Sequence, residues 1–501
     1  MSDTATRDDA RTDVTAEHLD VVIVGAGISG IGSAYHLTTQ RPGTSFVVLD
    51  ALESFGGTWL THTYPGIRSD SDLYTFGYRF KPWTGPPIAT AEQILTYMGE
   101  VIDDNDLARH IRYQHRIDTA SWSSETATWT LDGVRTDTGE AVRFVTPFLW
   151  MCQGYYRHSE GYTPQWPGME EFRGRIVHPQ TWPDDLDLTD REVIVIGSGA
   201  TAATLVPAIA GDCRHVTLLQ RSPTYFVTGR NENDTAEMLR SLEIPEEWIH
   251  EIVRRKILHD QAEVVRLAAE QPDMVKDLLL AEVRARLGDD YDVETHFSPR
   301  YRPWQQRIAF IPDGDLFEGI RTGQASVVTD QIDTITEAGI RLASGDELTA
   351  DVIITATGFD LCVMGDIAFS VDGEPVEWPD TVTYHGMMFT GVPNLVWIMG
   401  YFRASWTLRA DLIGDFVCRV LAHLDELGAR QVTPVLLPEE RDLERLPWMD
   451  PDNFNPGYLM RSMHLLPKRL DRPEWQHTQD YWVEKETLPA IDLDDGRLEY
   501  R

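Results

Sequence analysis

Short runs of β-branched and apolar residues recur along this chain, each broken by glycine or a charged residue, with helical stretches between them. Val21-Val22-Ile23-Val24 stops at Gly25, and Gly25-Ala26-Gly27-Ile28-Ser29-Gly30 follows. Apolar positions at helical spacing occupy 31–37, and Phe46-Val47-Val48-Leu49 then ends at Asp50. Strand, glycine turn, helix, strand makes one βαβ unit. The order returns at Val193-Ile194-Val195-Ile196 before Gly197-Ser198-Gly199, with a second strand expected at 216–219 that ends in Gln220-Arg221-Ser222. Buried strands are expected at 148–152, 352–356 and 395–399, and a small antiparallel segment at 128–131 and 142–144. Residues 54–87 read as a long loop rich in Gly, Pro, Asp and aromatics, of the kind that carries function. Residues 235–288 read as amphipathic helices. Their mixed charge, without a basic excess, points to an inserted helical subdomain rather than a membrane-surface helix.

Composition narrows the function classes. The 501 residues suggest several domains, and 42% apolar residues can fill their cores. Lys plus Arg is 44 against 80 Asp plus Glu, a net charge of −36. That balance argues against nucleic acid and anionic lipid as partners. Only five of the cations are lysines, which fits a GC-rich genome or an acidic, salt-adapted surface. No apolar stretch is long enough to span a membrane, and the polar start carries no signal core, so the expected location is cytoplasmic. Four cysteines without a C-x-x-C leave neither a zinc ribbon nor a local redox pair, and no metal site is expected.

The glycine turns carry the first chemistry. Between strand and helix, Gly25 makes the turn, Gly27 admits a pyrophosphate to the backbone, and Gly30 lets helix and strand pack closely. The helix N-terminus offers N–H donors to phosphates. Asp50 follows Gly30 by 20 positions, where an acid binds ribose hydroxyls. The second unit, Gly197-x-Gly199-x-x-Ala202, ends its next strand in Arg221-Ser222 instead, a pairing suited to a 2′-phosphate. The first site thus fits FAD or NAD and the second NADPH. Two such sites suggest hydride passing from NADPH to a flavin. Without a redox cysteine pair, dioxygen is the remaining simple acceptor.

Just before the second unit stands Phe172-x-Gly174-x-x-x-His178-x-x-x-Trp182-Pro183. This string resembles the fingerprint of type I Baeyer–Villiger monooxygenases. Heteroatom-oxidising relatives carry a similar string, usually with Tyr or Phe in place of Trp182-Pro183. Gly56-Gly57-Thr58-Trp59, Tyr64-Pro65-Gly66-Ile67-Arg68-Ser69-Asp70 and Ala356-Thr357-Gly358 fit the family as well. Leu219 to Tyr225, Gly386-Met387-Met388 and Ala404-Ser405-Trp406-Thr407-Leu408 are similar to the ethionamide monooxygenase subgroup.

The resemblance implies FAD contacts at Gly25, Gly27, Ser29, Gly30, Asp50, Thr58, Trp59, Asp70 and, through the backbone, Ile117. It implies NADPH contacts at Gly197, Ser198, Gly199, Ala200, Thr201, Ala202, Arg221 and Ser222, helped by Arg68, Ser69 and Asp70. It makes Arg307 the catalytic arginine, oriented by Asp70, and gives His178 and Trp182 a hinge role without proton chemistry. Where many relatives place Lys before that arginine, this chain has Gln306.

The expected fold is α/β, with two Rossmann-type domains and a helical insertion. A disordered tail covers 1–18 and the FAD domain begins at 19–160. The fingerprint linker and first part of the NADPH domain follow at 161–228. An insertion at 229–320 caps the NADPH domain. That domain ends over 321–380, and 381–501 completes the FAD domain. The implied reaction uses NADPH, O₂ and a C4a-peroxyflavin to convert neutral, apolar ketones to esters or lactones, with sulfoxidation as a side activity. The substrate's neutrality follows from the acidic balance. Two alternatives stay open: a flavin-containing oxygenase of sulfur or nitrogen, and a redox sensor or flavin reductase without oxygenation.

Overall fold

A computed structural model describes residues 14–501. Its frame is two five-stranded parallel sheets. The first runs in the order Leu395–Trp397, Phe148–Met151, Val21–Val24, Phe46–Leu49, Ile111–Arg112. The second runs Arg175–Val177, Val352–Thr355, Glu192–Ile196, His215–Gln220, Ala325–Thr329. Parallel sheets covered on both faces need apolar side chains on both, so their strands read as continuous apolar runs. In each sheet the glycine turn leaves the central strand, at the point where the strand order reverses. Ligands bind open α/β sheets there.

Several expected boundaries shift. Glu17–His18, assigned to the tail, pairs with Phe144 and Val145 as the edge of a six-stranded mixed sheet. The expected antiparallel segment belongs to that sheet, with strands Thr128–Arg135 and Ala141–Thr146. Residues 1–13 lie outside the described residues. Ala368–Val371 joins the same sheet beside Thr119–Trp122, so the chain leaves the second domain well before residue 381. The loop at 54–87 contains two short helices, Thr58–Thr61 and Leu73–Phe76.

The insertion also differs. It is helical over Asp234–Ser241, Glu246–Glu270, Pro272–Leu287 and Val293–Phe297. Ala309–Pro312 then pairs with Phe226–Gly229, and the helix Asp315–Arg321 packs on the second sheet's helix Ala200–Ile209. The stretch up to 320 therefore returns to the second domain. Leu280, Val283, Val293 and Phe297 lie in the core built on that domain's sheet. Ile249 and Val253 are instead buried in the core of the first. Arg254 fixes this docking by donating to the carbonyls of Tyr74, Thr75 and Gly77 at 3.0–3.1 Å. Periodicity shows that a helix has an apolar face but not which core receives it.

The helix Ile28–Gln40, which follows the first glycine turn, is held by Trp406–Leu427. Gly414 makes room there for the His36 ring, which a Cβ would meet at 2.5 Å. The imidazole lies 3.4 Å from both Asp411 and Asp415. Burial pushes its pKa down, but the two carboxylates outweigh that and raise it from 6.5 to about 9. A raised folded-state value contributes stability that is full below about 6.5 and is lost as pH rises through about 9. Thermal melts of wild type and His36→Asn should differ most below pH 6.5 and converge above pH 9. A gap independent of pH would refute the ion pair.

Candidate functional site

The first glycine turn is shaped by close approach. Gly25 has φ +105°, and a Cβ there would lie 2.6 Å from the Cys152 carbonyl oxygen. A Cβ on Gly30 would lie 1.8 Å from the Gly25 oxygen. Gly27, by contrast, meets nothing nearer than the Gly57 Cα at 3.8 Å, so its backbone faces an open cradle between two glycines. Asp50 is buried at the strand end, where it accepts from Ala26 N at 2.6 Å and Leu52 N at 2.9 Å. Burial raises its pKa, and the two N–H donors work against that. The carboxylate thereby pins the glycine turn and keeps lone pairs for further donors.

The second turn repeats the arrangement. Gly197 has φ +130° and packs on the Ala356 carbonyl, while Gly199 faces open space. Ser198 Oγ donates to the Ser222 carbonyl at 3.1 Å, which brings the turn to the strand end. Ala200, Thr201 and Ala202 open the following helix, and Ala202 is fully buried. Arg221 is exposed. Both cradles fit a dinucleotide pyrophosphate on the same grounds: free N–H groups at a helix start and no Cβ in the way.

Arg307 and Asp70 meet although 237 positions apart. Nε lies 2.6 Å from Asp70 Oδ2 and Nη2 2.7 Å from Oδ1, a two-pronged pair. Ser71 Oγ accepts from Nη2 at 3.0 Å and the Phe402 carbonyl from Nη1 at 3.2 Å. The side chain keeps 38% of its exposure. Burial disfavours its charge, the Asp70 carboxylate leads the groups that together outweigh it, with Tyr458 and Tyr155, and the guanidinium is held above its usual value. It is a fixed cation at any working pH.

Sequence reasoning missed the aromatic wall beside this cation. Tyr155 stacks on Trp406 at 5.3 Å and meets Phe402 and Tyr458 at 5.7 and 6.1 Å. Trp406 Nε1 donates to Ser29 Oγ at 2.8 Å, which ties the wall to the first dinucleotide helix. Tyr155 directly follows Gly154 at a sheet strand's carboxyl end, a position that could have signalled it. Thr58 bonds Tyr156 at 2.5 Å, and Trp59 packs against Phe76. Ile117 sits buried at a register shift in the mixed sheet.

Two expected contacts are engaged elsewhere. Arg68 donates to both oxygens of Asp315 at 2.6 and 3.2 Å, joining the loop to the second domain. The buried Ser69 hydroxyl donates to the Ser71 carbonyl and accepts from Ala89 N. Their side chains brace the loop that carries Asp70. Gln306 turns its amide to Asn455 at 3.3 Å.

This architecture defines a flavoprotein oxidoreductase with two dinucleotide domains. A model of flavin-binding monooxygenase-like proteins matches residues 80–259, and one of NAD(P)-binding Rossmann-like domains matches 23–85. The FAD-containing monooxygenase EthA of Mycobacterium tuberculosis is 44% identical over 97% of this chain and 98% of its own length. The probable FAD-binding monooxygenase AlmA of Acinetobacter baylyi is 38% identical over 97% and 96%. The chain belongs to this family of FAD-containing monooxygenases. Its fold is that of a steroid monooxygenase solved with NADP, at TM-score 0.75 and 24% identity over 96% of this chain and 99% of that one. An open cyclohexanone monooxygenase gives TM-score 0.74 at 19% identity over 97% and 100%. Among the described residues no helix is long and apolar enough to cross a membrane.

His178 of the fingerprint braces the passage between domains. Nε2 donates to the Gly358 carbonyl at 3.2 Å and Nδ1 accepts from Gln180 N at 3.1 Å, which sets a neutral tautomer. Burial lowers its pKa, consistent with a structural role. Gly161 lies so close that a Cβ would be 2.0 Å from Cε1. Gly161→Ala should cost about 1–3 kcal/mol by overpacking. Adding His178→Ala should recover part of the loss. Strictly additive denaturation energies would show that the two residues do not brace one another.

Proposed function

We propose that the chain is a Baeyer–Villiger monooxygenase that uses FAD, NADPH and O₂ to turn apolar ketones into esters or lactones, with sulfides as side substrates. The observation that carries this reading is the partly exposed Arg307 cation, held by Asp70, Ser71 and the Phe402 carbonyl beside aromatic walls. FAD, reduced by NADPH and reacting with O₂, would supply the inserted oxygen atom. The cradle of Gly25, Gly27 and Gly30 would hold its pyrophosphate, and Asp50 its ribose. Thr58, Trp59 and the Ile117 backbone would complete that site. Gly197 to Ala202 would hold the NADPH pyrophosphate, with Arg221 and Ser222 on the 2′-phosphate.

Arg307 would face the negative charge that develops on the carbonyl oxygen as the ketone is attacked. A preorganised cation stabilises such charge without reorganising. Asp70 and Ser71 orient it, and Tyr155, Phe402 and Trp406 exclude water around the ketone. Soft sulfides need no such cation, which separates this reading from a pure heteroatom oxygenase.

Arg307→Ala should keep FAD bound and reducible by NADPH but lower ester formation about 10²–10³-fold or more. Product analysis on a ketone panel, with flavin reduction followed separately, checks this. Ester formation at near wild-type rate would remove Arg307 from catalysis. Quantitative H₂O₂ release with every ketone would favour the reductase alternative.

Cofactor choice should be moderate. One charge-assisted contact from Arg221 supports roughly 10- to 100-fold preference for NADPH over NADH. Arg221→Ala should erase most of it by raising the NADPH KM. Gln306→Lys should widen it, provided the new ammonium turns away from Asn455. kcat/KM for both cofactors in the three proteins decides. Full preference in Arg221→Ala would place the 2′-phosphate elsewhere.

A further inference from the structure

Beside the Arg307 loop, two more arginines converge on one asparagine rather than on a carboxylate. Arg302 Nη2 donates to Asn453 O at 3.3 Å and to Asn453 Oδ1 at 3.4 Å. Arg403 Nη2 donates to the same two oxygens, at 2.9 Å for Oδ1. Among the described residues no carboxylate lies within ion-pair distance of either guanidinium. Both side chains are half-buried. Arg403 Nε is buried with no partner, and its guanidinium lies over the Phe454 ring at 5.2 Å. Burial first, then the charge of Arg302, push the Arg403 pKa from 12.5 down to about 10, against a smaller opposing pull from the Asp480 carboxylate. An amide and a carbonyl oxygen carry only partial charges. Asp480 acts on Arg403 only from beyond ion-pair distance, so among the described residues neither of the two positive charges has an anion in direct contact.

The position gives this pair a meaning. The Phe402 carbonyl that Arg307 holds belongs to the residue before Arg403, and Phe402 stacks on Phe454 at 5.4 Å. Arg302 opens the turn that leads to Arg307, closed by Gln305 N donating to Arg302 O at 3.1 Å. Trp304, inside that turn, is held at φ +64°, the left-handed region that a bulky residue rarely occupies. The cationic pair and the catalytic cation therefore share both of their supporting segments.

We propose that Arg302 and Arg403 form an anchor for a carboxylate at the far end of the ketone substrate, so that the enzyme takes chains neutral at the reacting end and anionic at the other. The proposal rests on the ketone-oxidising reading above. Guanidinium pairs suit carboxylates because they offer parallel N–H donors to both oxygens. Because Arg403 adjoins the Phe402 carbonyl that Arg307 holds, a carboxylate bound by the pair sits beside the segment that positions Arg307.

The test compares an oxodecanoate with its ketone at the far end of the chain and the methyl ester of that acid. The enzymes are wild type, Arg403→Gln, Arg302→Gln and Arg403→Lys. Wild type should favour the acid over the ester in kcat/KM. Each Gln variant should lower the acid-to-ester ratio roughly 10- to 100-fold, and Arg403→Lys should restore part of it. The NADPH KM should stay where it is. A wild type without acid preference overturns the proposal. So does an acid-to-ester ratio unchanged in the variants, or an NADPH KM that rises in step with the loss, which would assign the pair to the cofactor. If neither ketone is oxidised, the Baeyer–Villiger reading falls. Calorimetric binding of the oxodecanoate to the reduced holoenzyme, with and without Arg403, then still decides the anchor.

Discussion

The two-pronged contact between Arg307 and Asp70 is the constraint through which the site is assembled. It draws together the 68–72 loop of the first domain, the 302–307 turn leaving the insertion, and the Phe402 carbonyl after the last sheet strand. At this partial exposure the pair adds little net stability. Its contribution is position. The loop that supplies the Phe402 carbonyl leads straight into the helix that begins at Trp406, whose indole N–H reaches Ser29 on the first dinucleotide helix. A displacement of Arg307 would pass through Phe402 and Trp406 to the glycine turn, because packed interiors transmit strain rather than absorb it.

The two parallel sheets share no strand, so their relation is set by crossing contacts. Arg68 reaches Asp315, and Arg254 reaches the carbonyls around Tyr74. A short ribbon, Tyr156–Gly161 with Phe359–Leu361, carries the chain between domains. Apolar side chains cross as well: Tyr64 and Ile67 pack into the core of the second domain, and Ile249 and Val253 into that of the first. Relative motion is the default expectation for two domains on one chain. Hydride transfer between two dinucleotides requires their reacting rings to meet, and the ribbon with His178 against Gly161 is where such motion would be absorbed.

What the sequence made legible was local. Each glycine turn declares itself, because strand end, turn and helix start are consecutive, and the structure gives Gly25, Gly27 and Gly30 the separate environments expected of them. Long-range partners left no local trace. Nothing near Arg68 shows that Asp315 holds it, and nothing in the helix Glu246–Glu270 shows that Ile249 enters the first core. Asp50 illustrates the middle case. Its place at the strand end was readable, but its grip on the Ala26 N–H emerges only once the turn is folded. The tail boundary failed for a similar reason: Glu17–His18 has no apolar signal and is held by ladder bonds and by Glu17 on Arg112.

Net charge says little about the inside of a half-buried site, for a physical reason. A total of −36 describes the distant field, which salt screens over about 8 Å at physiological ionic strength. A half-buried site is governed instead by the nearest charges, which water and ions shield least. Around the Phe402 loop those include Arg302, Arg307 and Arg403, and among the described residues Arg307 alone of the three is in contact with a carboxylate. An acidic protein can therefore hold a locally cationic site. The surrounding negative field then discourages non-specific anions, while a chain whose carboxylate reaches both guanidiniums gains contacts that the field cannot cancel.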